Sequence, residues 1–210
     1  MSDSKQSNDN IGQRNIIWLL FGVCGAGKTT LGSALARQQN IDFVEGDDFH
    51  NDVNRNKLSQ GKPLTDDDRL PWLQAINRYL HKFYSTKPAV VSCSALTPLY
   101  RQIISKGLRQ RMVFVLVKTP ADILQLRVTQ RQHFASPHLL DSQLQTLRID
   151  ANHERGVAVD GTEPLQKNIA KLQRWYQQAG DDNSSHDLVD KVVRQVESSQ
   201  RYGVPIHKAP

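Results

Sequence analysis

Short apolar runs recur along the chain and predict the strands of a parallel sheet. They occupy residues 16–21, 43–44, 89–91, 112–117 and 157–159. The segment 113–117 reads Val-Phe-Val-Leu-Val, and such a continuous run is typical of a strand covered on both faces. Stretches with helical spacing separate the runs. This alternation predicts a three-layer α/β fold.

Apolar residues at helical spacing mark the segments between the strands. One set follows Pro71, which is tolerated in a first helical turn, so we expect a helix to begin there. The residues that mark this helix and two later ones are Leu73, Ile76, Leu80 and Phe83; Leu99, Ile103 and Leu108; Ile123 and Leu126.

The length and the two ends of the chain bound its domain organisation. With 210 residues, 38% of them hydrophobic, the chain suffices for one well-buried core. We therefore predict one domain over residues 15–178. Polar residues 1–14 are expected to form a disordered leader. Residues 179–210 are expected to form a linker and a tail, and apolar residues between 188 and 196 share one face of a predicted amphipathic helix in that tail.

The charge balance favours anionic ligands. Lys and Arg number 27 against 21 Asp and Glu, a formal net charge of +6. The basic residues do not form a tail: residues 101–131 contain seven of them against Asp122 alone. This concentration favours a phosphate-facing segment over a nucleic-acid surface, and a solvated basic face is the alternative.

The cysteines and the apolar runs indicate the compartment. Cys24 and Cys93 lie in predicted buried elements and lack the spacing of a disulfide framework or a zinc site. No apolar stretch approaches the roughly 20 residues that cross a bilayer, and residues 1–14 contain no signal-peptide run. We expect a cytoplasmic protein without a membrane partner.

A phosphate-binding motif follows the first predicted strand directly. It fits G-x-x-x-x-G-K-S/T, in which backbone N–H groups and a helix N-terminus converge on phosphate oxygens. Lys28 is predicted to span the β and γ phosphates of ATP, and the Thr29 hydroxyl to hold Mg²⁺. The alternative is an ordinary glycine-rich turn. The predicted cradle comprises Gly22, Val23, Cys24, Gly25, Ala26, Gly27, Lys28, Thr29 and Thr30.

Carboxylates follow the second predicted strand, in the segment Glu45-Gly46-Asp47-Asp48-Phe49-His50. Phosphoryl transfer needs a group that orients the attacking hydroxyl and accepts its proton, and Asp47 is our candidate. A helix N-cap is the alternative role for Asp47 or Asp48. The guanine-binding motif N-K-x-D is absent, and the run 89–91 leads into Ser-Cys-Ser without an acidic residue, which weakens a GTPase or ATPase interpretation.

The motifs in their order resemble the gluconate kinase family over roughly residues 16–178. The matching segments are Asn54, Lys57, residues 61–69 (Gly-Lys-Pro-Leu-Thr-Asp-Asp-Asp-Arg), 71–73 (Pro-Trp-Leu), 93–96 (Cys-Ser-Ala-Leu), 100–101 (Tyr-Arg), Arg127, Arg131, 133–134, 139–140 and 142–143. The chain departs from the family pattern at Glu45, where Asp is common, at Thr97, where Lys is usual, and at Arg148-Ile149, where Glu-Pro is usual.

The resemblance implies transfer of the γ-phosphate of ATP to the 6-hydroxyl of D-gluconate, with Mg²⁺. It also implies a P-loop kinase fold similar to shikimate and nucleoside monophosphate kinases, with a five-stranded parallel sheet, a helical substrate-binding arm at about 48–85 and a mobile lid at about 127–148. Families of this type are often dimeric, so a homodimer is expected. The alternatives are a shikimate, nucleotide or adenylylsulfate kinase, or a non-catalytic nucleotide-binding module.

Further site residues are assigned within this resemblance. Arg127 and Arg131 are four residues apart and share a helix face, so both are expected to contact ATP phosphates, with a solvated face as the alternative. Arg69 suits the gluconate carboxylate, with a local ion pair to Asp66 or Asp67 as the alternative. His50 and Ser94 are assigned to substrate binding, although a histidine in such a loop is often a packing residue.

Overall fold

A computed structural model describes residues 15–130, 137–150 and 154–181. Five strands form one sheet in the order β2-β3-β1-β4-β5, and every neighbouring pair is parallel. This architecture confirms the predicted α/β fold with a five-stranded parallel sheet. The strands are β1 (Ile17–Phe21), β2 (Asp42–Glu45), β3 (Ala89–Ser92), β4 (Met112–Lys118) and β5 (Gly156–Asp160).

Helices occupy the connections between the strands. Two short 3₁₀ turns, Gly46–Phe49 and Arg109–Arg111, follow β2 and precede β4. The α-helices are α1 (Lys28–Gln39), α2 (Asp52–Ser59), α3 (Asp66–Tyr84), α4 (Pro98–Ser105), α5 (Ala121–Gln130), α6 (Pro137–Thr146) and α7 (Leu165–Asp181).

The strands are buried on both faces. Every residue of β1 and of β3 is buried. Successive side chains of a strand point to opposite faces, so both faces of the sheet must be covered by helices. Residues 112–117 of β4 are buried as well, so its continuous apolar run predicted its environment correctly.

Helix α3 begins five residues earlier than Pro71 predicts. Thr65 is its N-cap, and the side chains of Thr65 and Asp68 form a reciprocal capping box with the backbone N–H groups of Asp68 and Thr65. Pro71 lies inside the helix, where it removes one backbone hydrogen bond. The cap and the burial of Trp72, Leu73, Ile76 and Leu80 outweigh this loss. Leu108 was also assigned wrongly, because α4 ends at Ser105.

The chain ends differ from the prediction in one respect. Helix α7 continues to Asp181, so the segment predicted as a linker from residue 179 begins as helix. The leader at 1–14 and the amphipathic helix predicted between 188 and 196 lie outside the described residues. Among the helices of the described ranges, none combines the length and the apolar character needed to cross a bilayer.

Candidate active site

The phosphate-binding motif forms the turn between β1 and α1. Gly22, Gly25 and Gly27 have φ values of 141°, 77° and 99°, a region that favours glycine. A Cβ atom at Gly22 would lie 2.8 Å from the Val117 carbonyl oxygen, so this glycine is also needed for the close approach of β4. Helix α1 begins at Lys28, as the motif predicts. The loop therefore makes the glycine-dependent turn into a helix that the motif predicts.

The phosphate loop and the acidic turn after β2 line one cavity of about 340 Å³. The ammonium group of Lys28, a cavity-lining residue, donates to the Val23 carbonyl oxygen over 2.9 Å. Gly22, Val23 and Ala26 are buried behind the loop surface. Ten of the predicted site residues line this cavity: Cys24, Gly25, Gly27, Lys28, Thr29, Thr30, Asp47, His50, Arg69 and Ser94.

Glu45, at the end of β2, contacts the phosphate loop directly. The Thr29 hydroxyl donates to Glu45 Oε2 over 2.7 Å. Burial raises the pKa of the Glu45 carboxyl, and the hydrogen bond from Thr29 opposes that shift. The sequence interpretation missed Glu45 as a functional residue. A signal was available, because Glu45 is the first carboxylate after the predicted apolar run 43–44, whereas β3 ends in the buried Ser92.

Asp47 lies inside the 3₁₀ turn and is not its cap. The turn is capped by Glu45, whose side chain accepts from the Asp47 N–H. The Asp47 side chain remains 70% exposed and belongs to the cavity wall. The cap proposed as an alternative for Asp47 is therefore formed by a different carboxylate, and the Asp47 carboxylate is accessible to a ligand.

His50 and Trp72 join the acidic turn to the arm. The two rings stack with centroids 4.1 Å apart, and Trp72 Nε1 donates to the Gly46 carbonyl oxygen over 2.7 Å. His50 is 7% exposed, and burial lowers its pKa, so the imidazole is neutral near pH 7. Its Nε2 lies 3.9 Å from Asp47 Oδ1. His50 thus packs against Trp72 and lines the cavity at the same time.

Arg69 forms the local ion pair considered for it and also lies in the cavity wall. Its Nη1 lies 3.5 Å from Asp66 Oδ1 and donates to the Tyr100 hydroxyl over 3.0 Å, while the residue also lines the cavity. The Tyr100 hydroxyl donates to the same Asp66 oxygen. Tyr100 was recognised only as part of a motif, and its position in the cavity wall required the packing of α4 against α3.

Arg55 is a second cavity residue that the sequence did not reveal as part of the site. Its Nε donates to the His50 carbonyl oxygen and its Nη2 to the Asp48 carbonyl oxygen, each over 2.8 Å. The guanidinium therefore fixes the main chain on the C-terminal side of Asp47. No pattern along the chain relates a residue of α2 to these carbonyl groups.

Arg127 lies on the other side of the phosphate loop. It donates from Nη1 to the Gly25 carbonyl oxygen over 3.2 Å and from Nη2 to the Gly161 carbonyl oxygen over 2.9 Å. It lines a second cavity of about 520 Å³, to which Gly25, Gly27 and Thr30 also contribute. Arg127 is thus held by backbone groups and is not on a solvated face. Arg131 lies outside the described residues.

Comparison with known proteins shows the family of this chain. A family model described as shikimate kinase matches residues 24–196. A probable gluconokinase of Dictyostelium discoideum is 37% identical over 157 residues, which cover 71% of this chain and 78% of that protein. The thermoresistant gluconokinase of Escherichia coli is 36% identical, with coverage of 73% and 89%. The chain belongs to the gluconokinase family.

Solved structures agree with the family assignment. A gluconokinase from Sinorhizobium meliloti is 33% identical with a TM-score of 0.65, covering 89% of this chain and 98% of its own. A sugar kinase from Janibacter is 31% identical with a TM-score of 0.71, covering 77% and 94%. An APS kinase of Mycobacterium tuberculosis, 14% identical with a TM-score of 0.57 and coverage of 77% and 96%, shares the fold alone.

Buried Arg101 contacts the main chain at residue 148, one of the positions where this gluconokinase-family chain departs from the expected pattern. Arg101 Nε pairs with Glu154 over 2.7 Å, Nη1 donates to the Ala95 carbonyl oxygen and Nη2 to the Arg148 carbonyl oxygen. The Arg148 N–H donates to the Leu96 carbonyl oxygen over 2.8 Å. The main chain of Arg148 anchors the segment that follows α6, so these hydrogen bonds do not need a particular side chain there.

The departure at residue 97 has a local role in this member of the gluconokinase family. The Thr97 hydroxyl accepts from the Tyr100 N–H over 3.3 Å and caps α4. A lysine side chain, which the resemblance led us to expect here, has no acceptor for this bond. Thr97 therefore contributes to the helix that presents Tyr100 to the cavity.

Proposed function

We propose that the chain transfers the γ-phosphoryl group of ATP to the 6-hydroxyl of D-gluconate, giving 6-phospho-D-gluconate and ADP. The observation that carries the proposal is the shared cavity, where Lys28 and Thr29 of the phosphate loop face the same space as Asp47 and Arg69. Phosphoryl transfer depends mainly on positioning and charge stabilisation, and this cavity is lined by groups for both. The gluconokinase relatives support D-gluconate as the acceptor.

Asp47 is the proposed general base. Its exposed carboxylate orients the 6-hydroxyl and accepts its proton as the hydroxyl oxygen forms a bond to the γ phosphorus and the bond to the β–γ bridging oxygen breaks. Arg55 holds the carbonyl groups of Asp48 and His50, which keeps the Asp47 turn in place.

The acceptor end of the cavity fits a polyhydroxy acid. Arg69 presents a guanidinium, which binds carboxylates through paired hydrogen bonds. His50, Ser94 and Tyr100 line the same region and offer polar atoms for hydroxyl groups. Leu64 and Trp72 complete the wall with apolar surface that limits the size of the acceptor.

The donor set beside the phosphate loop fits Mg²⁺. The Thr29 hydroxyl and the Glu45 carboxylate are hard oxygen ligands only 2.7 Å apart. Mg²⁺ in kinases takes one or two protein oxygens together with waters and phosphate oxygens, so no larger cluster is required. When bound, the ion neutralises charge on the β and γ phosphates. We propose that Thr29 and Glu45 hold it.

The arginines complete the proposed machinery. Arg127 and Arg131 are proposed to stabilise charge on the ATP phosphates. Arg127 is held between the Gly25 and Gly161 carbonyl groups and lines the second cavity. We therefore propose that the nucleotide binds in the second cavity. Its terminal phosphate would then extend over the phosphate loop towards Asp47. A homodimer in the cytoplasm stays a prediction.

The decisive experiment is a coupled assay of ADP release. D-gluconate is compared with shikimate, nucleoside monophosphates and adenylylsulfate, using the chain and its Asp47→Asn variant. Release should depend on gluconate and fall by about 10²–10⁴-fold in the variant, the usual contribution of a general base. Asp67→Asn, an exposed change outside the cavity, is the control.

Two outcomes would count against the proposal. Release that depends on another acceptor and not on gluconate would refute the substrate. Near-normal turnover of Asp47→Asn with gluconate would refute the base while leaving the substrate intact.

A further inference from the structure

Gln143 of α6 reaches the backbone of the phosphate loop. The Cys24 N–H donates to Gln143 Oε1 over 2.6 Å, across 119 positions of the chain. Gln143 and Leu139, one helical turn apart on α6, both line the cavity that contains Asp47. A side chain from the predicted lid is thus in direct contact with the loop that binds phosphate.

The Cys24 N–H lies on the acceptor side of the loop. Gly25, Gly27 and Thr30 line both of these cavities, whereas Cys24, Lys28 and Thr29 line the one that contains Asp47 and not the one that contains Arg127. A nucleotide that crosses the loop towards Asp47 brings its terminal phosphate to this side. The γ-phosphate, and not the β-phosphate, is therefore the group expected next to Cys24 and Gln143.

The chemistry of the carboxamide makes Gln143 responsive to that phosphate. A glutamine side chain carries an accepting oxygen and two N–H donors, whereas a fully ionised phosphate oxygen only accepts. Among the described residues, Gln143 Nε2 has no hydrogen-bond partner. With γ-phosphate present, Gln143 Oε1 and a phosphate oxygen would compete for the Cys24 N–H, and rotation of the amide would instead direct Nε2 to the phosphate.

We propose that Gln143 is a ligand of the γ-phosphate that couples α6 to ATP and not to ADP. With ADP, Oε1 keeps its hydrogen bond to the Cys24 N–H. With ATP, the Cys24 N–H and Gln143 Nε2 both donate to the γ-phosphate, which then links α6 to the loop in place of the direct hydrogen bond. The inference rests on ATP as the donor in the proposed function and does not depend on which acceptor is used.

The test compares ATP and ADP binding in two variants. Gln143→Glu keeps an accepting oxygen of the same shape, removes both donors and adds a negative charge. Gln143→Leu removes donors and acceptor. The matched control is Gln145→Glu, an exposed glutamine on the same helix that receives the same charge.

Affinities for ADP and for the non-hydrolysable β,γ-imido analogue of ATP are measured by calorimetry without acceptor. Because a charge-assisted hydrogen bond is lost, Gln143→Glu should weaken binding of the ATP analogue by about 10–100-fold and that of ADP by less than about threefold. Gln143→Leu should weaken binding of the analogue selectively, by about tenfold. Gln145→Glu should leave the ratio of the two affinities unchanged.

An unchanged ratio in both Gln143 variants, or an equal loss for the two nucleotides, would overturn the proposal. Thermal unfolding without nucleotide shows that the variants are folded, and a purely structural role would lower the melting temperature without changing the affinity ratio. Turnover with gluconate is measured separately. A chain that discriminates the nucleotides as proposed but does not phosphorylate gluconate would refute the proposed acceptor alone.

Discussion

The Thr29 hydroxyl donates to Glu45 Oε2 over 2.7 Å and thereby joins the phosphate loop to the end of β2. β3 lies between β1 and β2 in the sheet, yet its last residue is the buried Ser92, which cannot supply a carboxylate. The carboxylate beside the Thr29 hydroxyl is therefore that of Glu45, which comes from β2, the strand on the far side of β3. Glu45 and Thr29 are 16 positions apart along the chain, so the contact between them is seen only in the folded structure.

Glu45→Gln is expected to raise the Mg²⁺ requirement. The amide keeps the shape but loses the negative charge that attracts the cation, so the Mg²⁺ concentration for half-maximal rate should rise about 10–100-fold, as for other metal-orienting groups. Mg²⁺ titrations of ADP release check this. Glu45→Asp, which restores the residue common in the family, should shift the requirement much less. An identical titration for Glu45→Gln and the unmodified chain would exclude Glu45 from the metal site.

Asp68→Asn is expected to loosen the arm in a pH-dependent way. Hydrogen bonds from Lys57 and Thr65 hold the pKa of Asp68 at about 2, below its ordinary 3.8. Because the folded pKa is depressed, the stabilisation is complete above about pH 4 and is lost as the pH falls from 3.8 towards 2. The variant should melt about 2–4 °C lower at pH 7, and the difference should vanish in acid.

The control for this prediction is Asp67→Asn, which changes the same helical turn but not the bond to Lys57. Thermal unfolding is followed by circular dichroism between pH 7 and pH 2. A difference between Asp68→Asn and the unmodified chain that stays constant over this range would contradict the role assigned to the ionised carboxylate.

Arg101→Met is expected to destabilise the fold strongly. Arg101 is fully buried and pairs with Glu154, which is 8% exposed and whose pKa is raised by burial. Removing one partner of a buried ion pair leaves an uncompensated group, so the free energy of unfolding should fall by about 3–5 kcal/mol. Arg101→Lys should recover only part of this loss, because the three acceptors bind three different nitrogens of the guanidinium and a single ammonium nitrogen cannot reach all of them.

Urea unfolding measures the effect of these Arg101 substitutions. Arg78→Met, an exposed change on α3, is the control and should alter the free energy of unfolding by less than about 0.5 kcal/mol. A loss for Arg101→Met as small as that of the control would show that the ion pair does not anchor the segment after α6.

His50→Phe is expected to remove part of the pH dependence of stability. Burial lowers the pKa of His50 from 6.5, and the positive charges of Arg55 and Arg69 add to this effect while Asp47 opposes it. Because the folded pKa is depressed, stability is complete above about pH 6.5 and is lost as the pH falls towards the folded pKa. Phenylalanine keeps a ring against Trp72 but does not titrate.

The melting temperatures of the unmodified chain and of His50→Phe, measured between pH 7.5 and 5.5, test this prediction. The unmodified chain should lose stability more steeply than His50→Phe as the pH falls. His138→Phe, a change of an exposed histidine on α6, should follow the unmodified chain. Equal slopes for the unmodified chain and His50→Phe would contradict the buried, neutral imidazole.

The sequence determined the layers of the fold and the position of the phosphate loop. Both follow from local rules: continuous apolar runs predict buried strands, and glycine spacing before Lys28 predicts a turn that leads into a helix. The start of α3 was wrong although its capping signal was local, because Thr65 and Asp68 were overlooked in favour of Pro71.

Only the tertiary structure decided which distant groups meet. Glu45 reaches Thr29 because β2 and β1 end at the same edge of the sheet, and Tyr100 enters the cavity because α4 packs on α3. Gln143 reaches Cys24 because α6 and the phosphate loop line the same cavity. These contacts depend on the order of strands and on helix packing. Strand order and helix packing do not produce a periodic or local sequence pattern at the residues that form the contacts.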